Sequence, residues 1–287
     1  MMRFRVPLLV AMGIGIVPMF AQEGTKPAPV LSIGRESIKE GRTAAHEKVE
    51  ADYAATFRKT NFPGHYIAMA TISGANEVWF IQPMASFAAN EDFEKATDKE
   101  PLKSALALMD SRDGELRTTS RTIWAVYRPD LSYKPETFNP AKSHFVDVGT
   151  FRIRLGRGDD FAQGTKTYFG GFAKGNVDLC ILGYEITAGA PVGTYLFFTP
   201  MDSMKVLDGD AGRAKAVRES MGQEGFAQMM KGLSDIVLSI EDTLLEVKPG
   251  MSYPSQAMID ADPGFWKPKP AMKPMAAAAP PEKKAAQ

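Results

Sequence analysis

The chain is 287 residues long, with 34 basic and 34 acidic side chains and an apolar share of 44%. Balanced charge removes the basic face that nucleic acid demands, so no nucleic-acid partner is expected. The length and apolar share support one or two globular domains with a sizeable core and exclude a disordered or fibrous chain.

Residues 1–21 read as a secretory signal peptide. Arg3 and Arg5 precede the apolar run Val6 to Phe20, and Ala21 is followed by polar Gln22, Glu23 and Gly24. The run is short for a membrane span of roughly 20 residues, and Gly13, Gly15 and Pro18 interrupt it. The expected location is therefore the periplasm or the exterior, with cleavage near Ala21 and no membrane span afterwards. Residues 22–29 form a linker. The single cysteine, Cys180, excludes an internal disulfide, so packing must supply the stability.

Residues 30–138 form a first unit. Its predicted elements are a strand from Val30 to Lys39, a helix from Thr43 to Thr60, and strands Tyr66 to Ile72 and Val78 to Gln82 around a glycine turn. A mixed helical region and a strand from Thr122 to Tyr127 follow. Ala45, Val49, Tyr53 and Phe57 give the helix one apolar stripe. Residues 139–256 repeat the plan. Strand His144 to Leu155 and helix Asp159 to Ala173 precede strands Leu179 to Ile186 and Thr194 to Thr199. A helical region leads to strand Thr243 to Val247. Residues 257–287, rich in Pro, Ala and Lys, are expected to be disordered.

The two units are copies. At an offset of 115, Gly41-Arg42 matches Gly156-Arg157, Tyr53 matches Tyr168, Phe57 matches Phe172 and Gly74 matches Gly189. At 117, Pro83-Met84 matches Pro200-Met201, and at 120 Ser132-Tyr133 matches Ser252-Tyr253. Drift only by insertion, with matches in constant order, is what duplication produces. The element order of each copy is βαββαβ, an α+β ferredoxin-like unit. The segments Val78-Trp79-Phe80-Ile81 and Tyr195-Leu196-Phe197-Phe198 have no polar side. One face is covered by the unit's own helices; the other is expected to meet the second copy's sheet in one pseudo-symmetric α/β-barrel.

Over residues 30 to 254 this plan resembles the dimeric α/β-barrel superfamily. Its members include stress-responsive barrel proteins, NIPSNAP-like proteins, antibiotic-biosynthesis monooxygenases and chlorite dismutase-like haem proteins. The resemblance implies a pseudo-dimer within one chain. It is nearest to the NIPSNAP-like and stress-responsive members, many of which lack a known activity.

Residues kept in both copies read as architecture. Ser132-Tyr133 and Ser252-Tyr253 are expected to latch a barrel end, each hydroxyl finding a backbone partner. His46 and Glu50 can pair at i,i+4 as a base or ligand, but their twins Phe161 and Thr165 favour packing. His65 and its twin Cys180 are too few for a metal site, and no metal is expected. His144 is expected to be solvated. Arg35 and Lys39, with Arg152 and Arg154, give strand one a basic face. This points to an anionic or carbonyl-bearing ligand held by Arg35 and Arg152 against a wall of Trp79, Tyr184 and Phe197. The competing reading has the arginines pair with Glu36 and Asp147 at the rim. The stretch Gly156 to Asp160 is a helix entry capped by Asp159 or Asp160. No phosphate loop, G-x-S-x-G, H-E-x-x-H or C-x-x-C occurs.

Three functions compete. The first is an exported protein binding a small hydrophobic or anionic ligand in the barrel, without turnover. The second, implied by the resemblance, is a cofactor-free monooxygenase-like enzyme acting on an aromatic substrate near Trp79. The third is haem binding, disfavoured because the only histidine of the second copy, His144, lies on a strand. The expectation is ligand binding with no cofactor.

Overall fold

The computed structural model describes residues 26–267. The expected signal peptide and the residues beyond Lys267 lie outside the described residues.

The first repeat comprises β1 (Val30–Ile38), α1 (Thr43–Lys59), β2 (Ile67–Thr71), β3 (Glu77–Met84), α2 (Ala88–Thr97), α3 (Leu102–Gly114) and β4 (Arg117–Tyr127). The second comprises β5 (Phe145–Ile153), α4 (Gly158–Lys174), β6 (Leu182–Ala188), β7 (Thr194–Met201), α5 (Asp210–Met221), α6 (Gln223–Ser234) and β8 (Val237–Val247). Each mixed helical region is thus two helices, and the order is βαββααβ. The closing strands begin earlier than their apolar ends suggest, because their first halves are mostly exposed and carry no burial alternation. The N-terminus of α4 also differs: Arg157 is the cap residue, and Asp159 and Asp160 lie in the first turn.

The expected disordered tail begins too early at residue 257. Residues 256–266 form α7 (Gln256–Ala261) and α8 (Pro263–Trp266). Trp266 is buried and its indole N–H donates to the Ala141 carbonyl at 2.8 Å. Met258, Ile259 and Phe265 pack on the barrel core beside it. The burial of these four apolar side chains fixes a segment that the Pro-Ala-Lys composition of residues 257–287 assigns to the tail.

The eight strands close into one barrel in the order β1-β3-β2-β8-β5-β7-β6-β4. Each repeat contributes a four-stranded antiparallel sheet with its first strand inside. The sheets join at two seams, with Met69 opposite Val247 in one and Tyr127 opposite Tyr184 in the other. The strand–turn–strand of each repeat turns at Gly74 (φ +81°) and Gly189 (φ +85°), a conformation that other residues rarely adopt. Alternation then divides each strand. Ile33, Trp79, Val148, Leu196 and Phe198 point into the barrel. Tyr195 and Phe197 point out, into a layer with Phe161 and Phe172 of α4. The two-faced strands therefore have the cover expected of them. Among the described residues, no helix is long and apolar enough to cross a membrane.

The Ser-Tyr pairs latch the repeats to each other. Tyr133, at the end of repeat one, donates to Val177 O of repeat two at 2.9 Å. Tyr253, at the end of repeat two, donates to Phe62 O of repeat one at 2.8 Å. Ser252 Oγ accepts from Ala68 N at 2.9 Å and donates to Lys248 O at 2.8 Å; Ser132 does the same with Gly183 N and Arg128 O. Ser252→Ala leaves the buried Ala68 N–H without a partner and is expected to cost about 1–3 kcal/mol, read by urea denaturation. Tyr253→Phe leaves only a carbonyl short of one donor and is expected to cost about 1 kcal/mol.

Candidate functional site

A cavity of about 500 Å³ occupies the barrel mouth where β1 and β5 begin. Its wall is mainly apolar and comes from both repeats, including Leu31, Ile67 and Ile81 from the first and Leu182, Tyr184 and Phe198 from the second. Met258 of α7 and Phe138 lean over it, and Lys26, His65 and Gln82 supply polar groups. Tyr184 is held in place by its hydroxyl, which donates to Ala28 O at 3.0 Å.

The far end of the barrel is sealed. Arg35 lies over the Trp79 ring at 4.0 Å. Its Nε and one terminal nitrogen donate to Glu77 Oε2 at 3.0 and 2.5 Å, and the Trp79 indole N–H donates to the same oxygen at 3.0 Å. Burial opposes ionising Glu77, yet these donors and the Arg35 charge hold its carboxyl below the usual range.

Of the expected ligand wall, Tyr184 lines this mouth, and Arg35, Arg152, Trp79 and Phe197 do not. Arg35 and Trp79 form the seal, and neither cavity wall includes them. Arg35 pairs with Glu77 rather than Glu36. Arg152 is exposed on β5. Asp147 gains no arginine: burial and the nearby Asp242 and Asp210 push its carboxyl up to about 6. Phe197 faces α4, and its neighbour Phe198 takes the inward place. His144 is engaged rather than solvated. Its Nε2 lies 2.9 Å from Asp262 Oδ2, and its ring stacks on Phe265 at 3.8 Å, pinning the C-terminal helices. His65 packs against Tyr253 at 5.0 Å between ring centroids. Burial pushes the Cys180 thiol up to about 11, and neither residue belongs to a metal-capable group among the described residues.

His46 and Glu50 belong to something larger. A second cavity, of about 510 Å³, lies between the outer face of the first sheet and helices α1 and α3. Glu36 of β1, Glu50 of α1 and Asp113 of α3 converge at its wall with His46 of α1 beside them, all four buried. His46 Nε2 is 3.0 Å from Glu36 Oε2, 3.3 Å from Asp113 Oδ1 and 4.0 Å from Glu50 Oε1. Arg117, the first residue of β4, holds the other oxygens: Glu36 Oε1, and Asp113 Oδ2 at 2.5 Å. Burial is the main reason that the Glu50 carboxyl is pushed up to about 9, with Glu36 and Asp113 adding to it. Burial and the Glu36 charge likewise raise Asp113. Burial also opposes ionising Glu36, but the His46 hydrogen bond and the Arg117 charge hold its carboxyl low. Such opposed shifts within one cleft mark a candidate site. Packing alone does not describe His46.

No protein-family model matches the chain, and no curated protein matches it. Solved structures do. An anthrone oxidase-like protein matches at 11% identity over 80% of this chain and 96% of its own, with a TM-score of 0.52. A monooxygenase-class protein of Fusobacterium nucleatum matches at 11% identity over 77% and 93%, with a TM-score of 0.50. These place the chain in the dimeric α+β-barrel fold, built here from two repeats of one chain. A haem-binding protein of Thermus thermophilus also matches, at 12% identity over 76% and 90%, with a TM-score of 0.41.

The expectation of no cofactor does not stand, because a protein described as haem-binding is among the structures that match. The expectation leaned on His144, which Asp262 and Phe265 occupy. His46 is engaged by carboxylates. His65 lines the apolar mouth and packs against Tyr253.

Proposed function

We propose that this chain binds a small, mainly apolar molecule with an anionic or carbonyl end in the barrel mouth. The mouth cavity carries the reading: both repeats line it with apolar side chains, and the far end is sealed. The apolar body lies against Leu182, Tyr184 and Phe198, and the polar end meets Lys26 or Gln82 at the rim. Export to the periplasm or exterior belongs to this reading, supported by the arginines and apolar run ahead of Ala21. Within the barrel class, the tandem βαββααβ plan supports a place beside the NIPSNAP-like and stress-responsive proteins.

The test uses 1-anilinonaphthalene-8-sulfonate, an anionic aromatic probe. Its fluorescence is expected to rise on the native chain, with a higher melting temperature, and Ile67→Trp, which fills the cavity, is expected to abolish both. Equal binding by Ile67→Trp would refute the mouth as the site. An anthrone incubated with the protein in air is expected to remain unchanged; its oxidation would replace binding with catalysis. Haemin is added in parallel, and a Soret band lost in His65→Ala would assign the mouth to haem.

A further inference from the structure

The two repeats are built alike, and at one place they are chemically opposite. Glu36, His46, Glu50, Asp113 and Arg117 have as twins Phe151, Phe161, Thr165, Leu233 and Val237. In the second repeat this spot is packed core. Phe151 and Phe161 lie 5.9 Å apart between ring centroids, in one cluster with Leu233 and Val237, and Thr165 is buried. The architecture therefore does not require charge here. Three acids, a histidine and an arginine occupy a place that apolar residues fill well, at the cost of desolvating each charged group.

We propose that Glu36, His46, Glu50 and Asp113 bind one divalent first-row metal ion, of the manganese, iron or zinc class, at the wall of the first-repeat cavity. Four ligand atoms, one from each residue, lie within 4.8 Å of one another, a spacing that one ion bridges with small side-chain shifts. One imidazole nitrogen with carboxylate oxygens and no thiolate suits that class of ion. Arg117 takes one oxygen from each of Glu36 and Asp113, leaving Glu36 Oε2 and Asp113 Oδ1 turned toward His46 Nε2. Such outer partners orient metal ligands.

A second observation points to an absent partner. The Asp113 side chain is 1% exposed, and its Oδ1 accepts no hydrogen bond. The Glu50 side chain is 8% exposed; among the described residues it makes no hydrogen bond, and His46 Nε2 lies 4.0 Å from its Oε1. A buried Asp113 oxygen and a buried Glu50 carboxyl, neither accepting a hydrogen bond, are costly alone and are satisfied together by a cation. Metal ligands bind in their deprotonated forms, so binding is expected to release protons. Glu36, Glu50 and Asp113 all line the cavity, which leaves room for water or a small molecule on the ion.

The full chain, stripped with a chelator, is titrated with Mn²⁺ and Zn²⁺ by calorimetry and with Co²⁺ by visible absorption. The expected result is one ion per chain, proton release, Co²⁺ ligand-field bands and a higher melting temperature. Glu50→Gln and His46→Gln are expected to weaken binding by at least about 10–100-fold. Asp92→Asn, at a partly exposed position of α2 outside the four-residue group, should leave it unchanged. Near-UV circular dichroism verifies folding. Should His46→Gln unfold, Glu50→Gln decides, because it replaces a carboxyl that makes no hydrogen bond among the described residues by an amide of the same shape. Failure of all three ions to bind, or undiminished binding in Glu50→Gln, would overturn the site. Either would leave the cluster as a proton-sharing network only.

Discussion

Arg117→Met, measured on the chelator-treated chain, is expected to destabilise the fold by about 3–5 kcal/mol, because it removes one partner of a buried ion network. Arg117 is the arginine that faces Glu36 and Asp113, with its own side chain 21% exposed. Without it, burial still opposes ionising both acids, and His46 is left beside them, 3.0 Å from Glu36 and 3.3 Å from Asp113. The variant should recover stability as the medium is acidified, since protonated carboxyls no longer need the guanidinium. The informative partner is a five-fold variant in which Glu36, His46, Glu50, Asp113 and Arg117 become Phe, Phe, Thr, Leu and Val, the residues of their twins. Replacing a buried ionic group with well-packed apolar residues is commonly neutral or stabilising by about 1–4 kcal/mol. The five-fold variant is therefore expected to match or exceed the wild type in urea denaturation, while Arg117→Met alone falls far below it. A five-fold variant as weak as the single one would mean that the charged cluster is needed for folding, and the argument from the twins would fail.

Most of the architecture is legible in the sequence because the duplication is. Matched pairs such as Tyr53 with Tyr168 set the repeat boundaries, and strands without a polar face required a second sheet. The split of each helical region was also signalled, by Pro101 between α2 and α3 and by Gly222, with φ +72°, between α5 and α6. Alternation is where the residue-level reading of the mouth lost its way. Trp79 is the twin of Leu196, and Phe197 is the twin of Phe80, so one proposed wall drew on two opposite faces of the sheet. Arg152 is the twin of Ser37 rather than of Arg35, which places it beyond the seal. The cluster in repeat one was seen in half. His46 and Glu50 are visible at helical spacing, whereas Asp113 and Arg117 lie at a helix end and a strand start some sixty residues further on, brought in by tertiary packing. Comparing the copies position by position exposes them, since each charged residue there faces an apolar twin or, for Glu50, a threonine.

Glu77→Ala is expected to cost about 3–5 kcal/mol, the second large effect, because it strips the barrel seal of the acceptor shared by Arg35 and the Trp79 indole. The Arg35 and Glu77 side chains are 12% and 14% exposed, so their pairing is not a solvated surface contact. In the variant the Trp79 N–H loses its partner, and Arg35 is left beside Arg121, which stands opposite it on β4. Glu77→Gln keeps an acceptor for the indole but not the charge, and should cost about 1–2 kcal/mol. The pH dependence follows in sign. The Glu77 carboxyl titrates lower in the folded chain than its ordinary 4.5, so its contribution is present above that value and is lost as pH falls through the folded one. Wild type and Glu77→Gln should therefore differ most near neutrality and converge in acid. Urea denaturation at neutral pH and at about pH 3 measures this directly. A difference that stays constant across that range would assign the stabilisation to the shape of the seal, with Arg35 stacked on Trp79, and not to its charge.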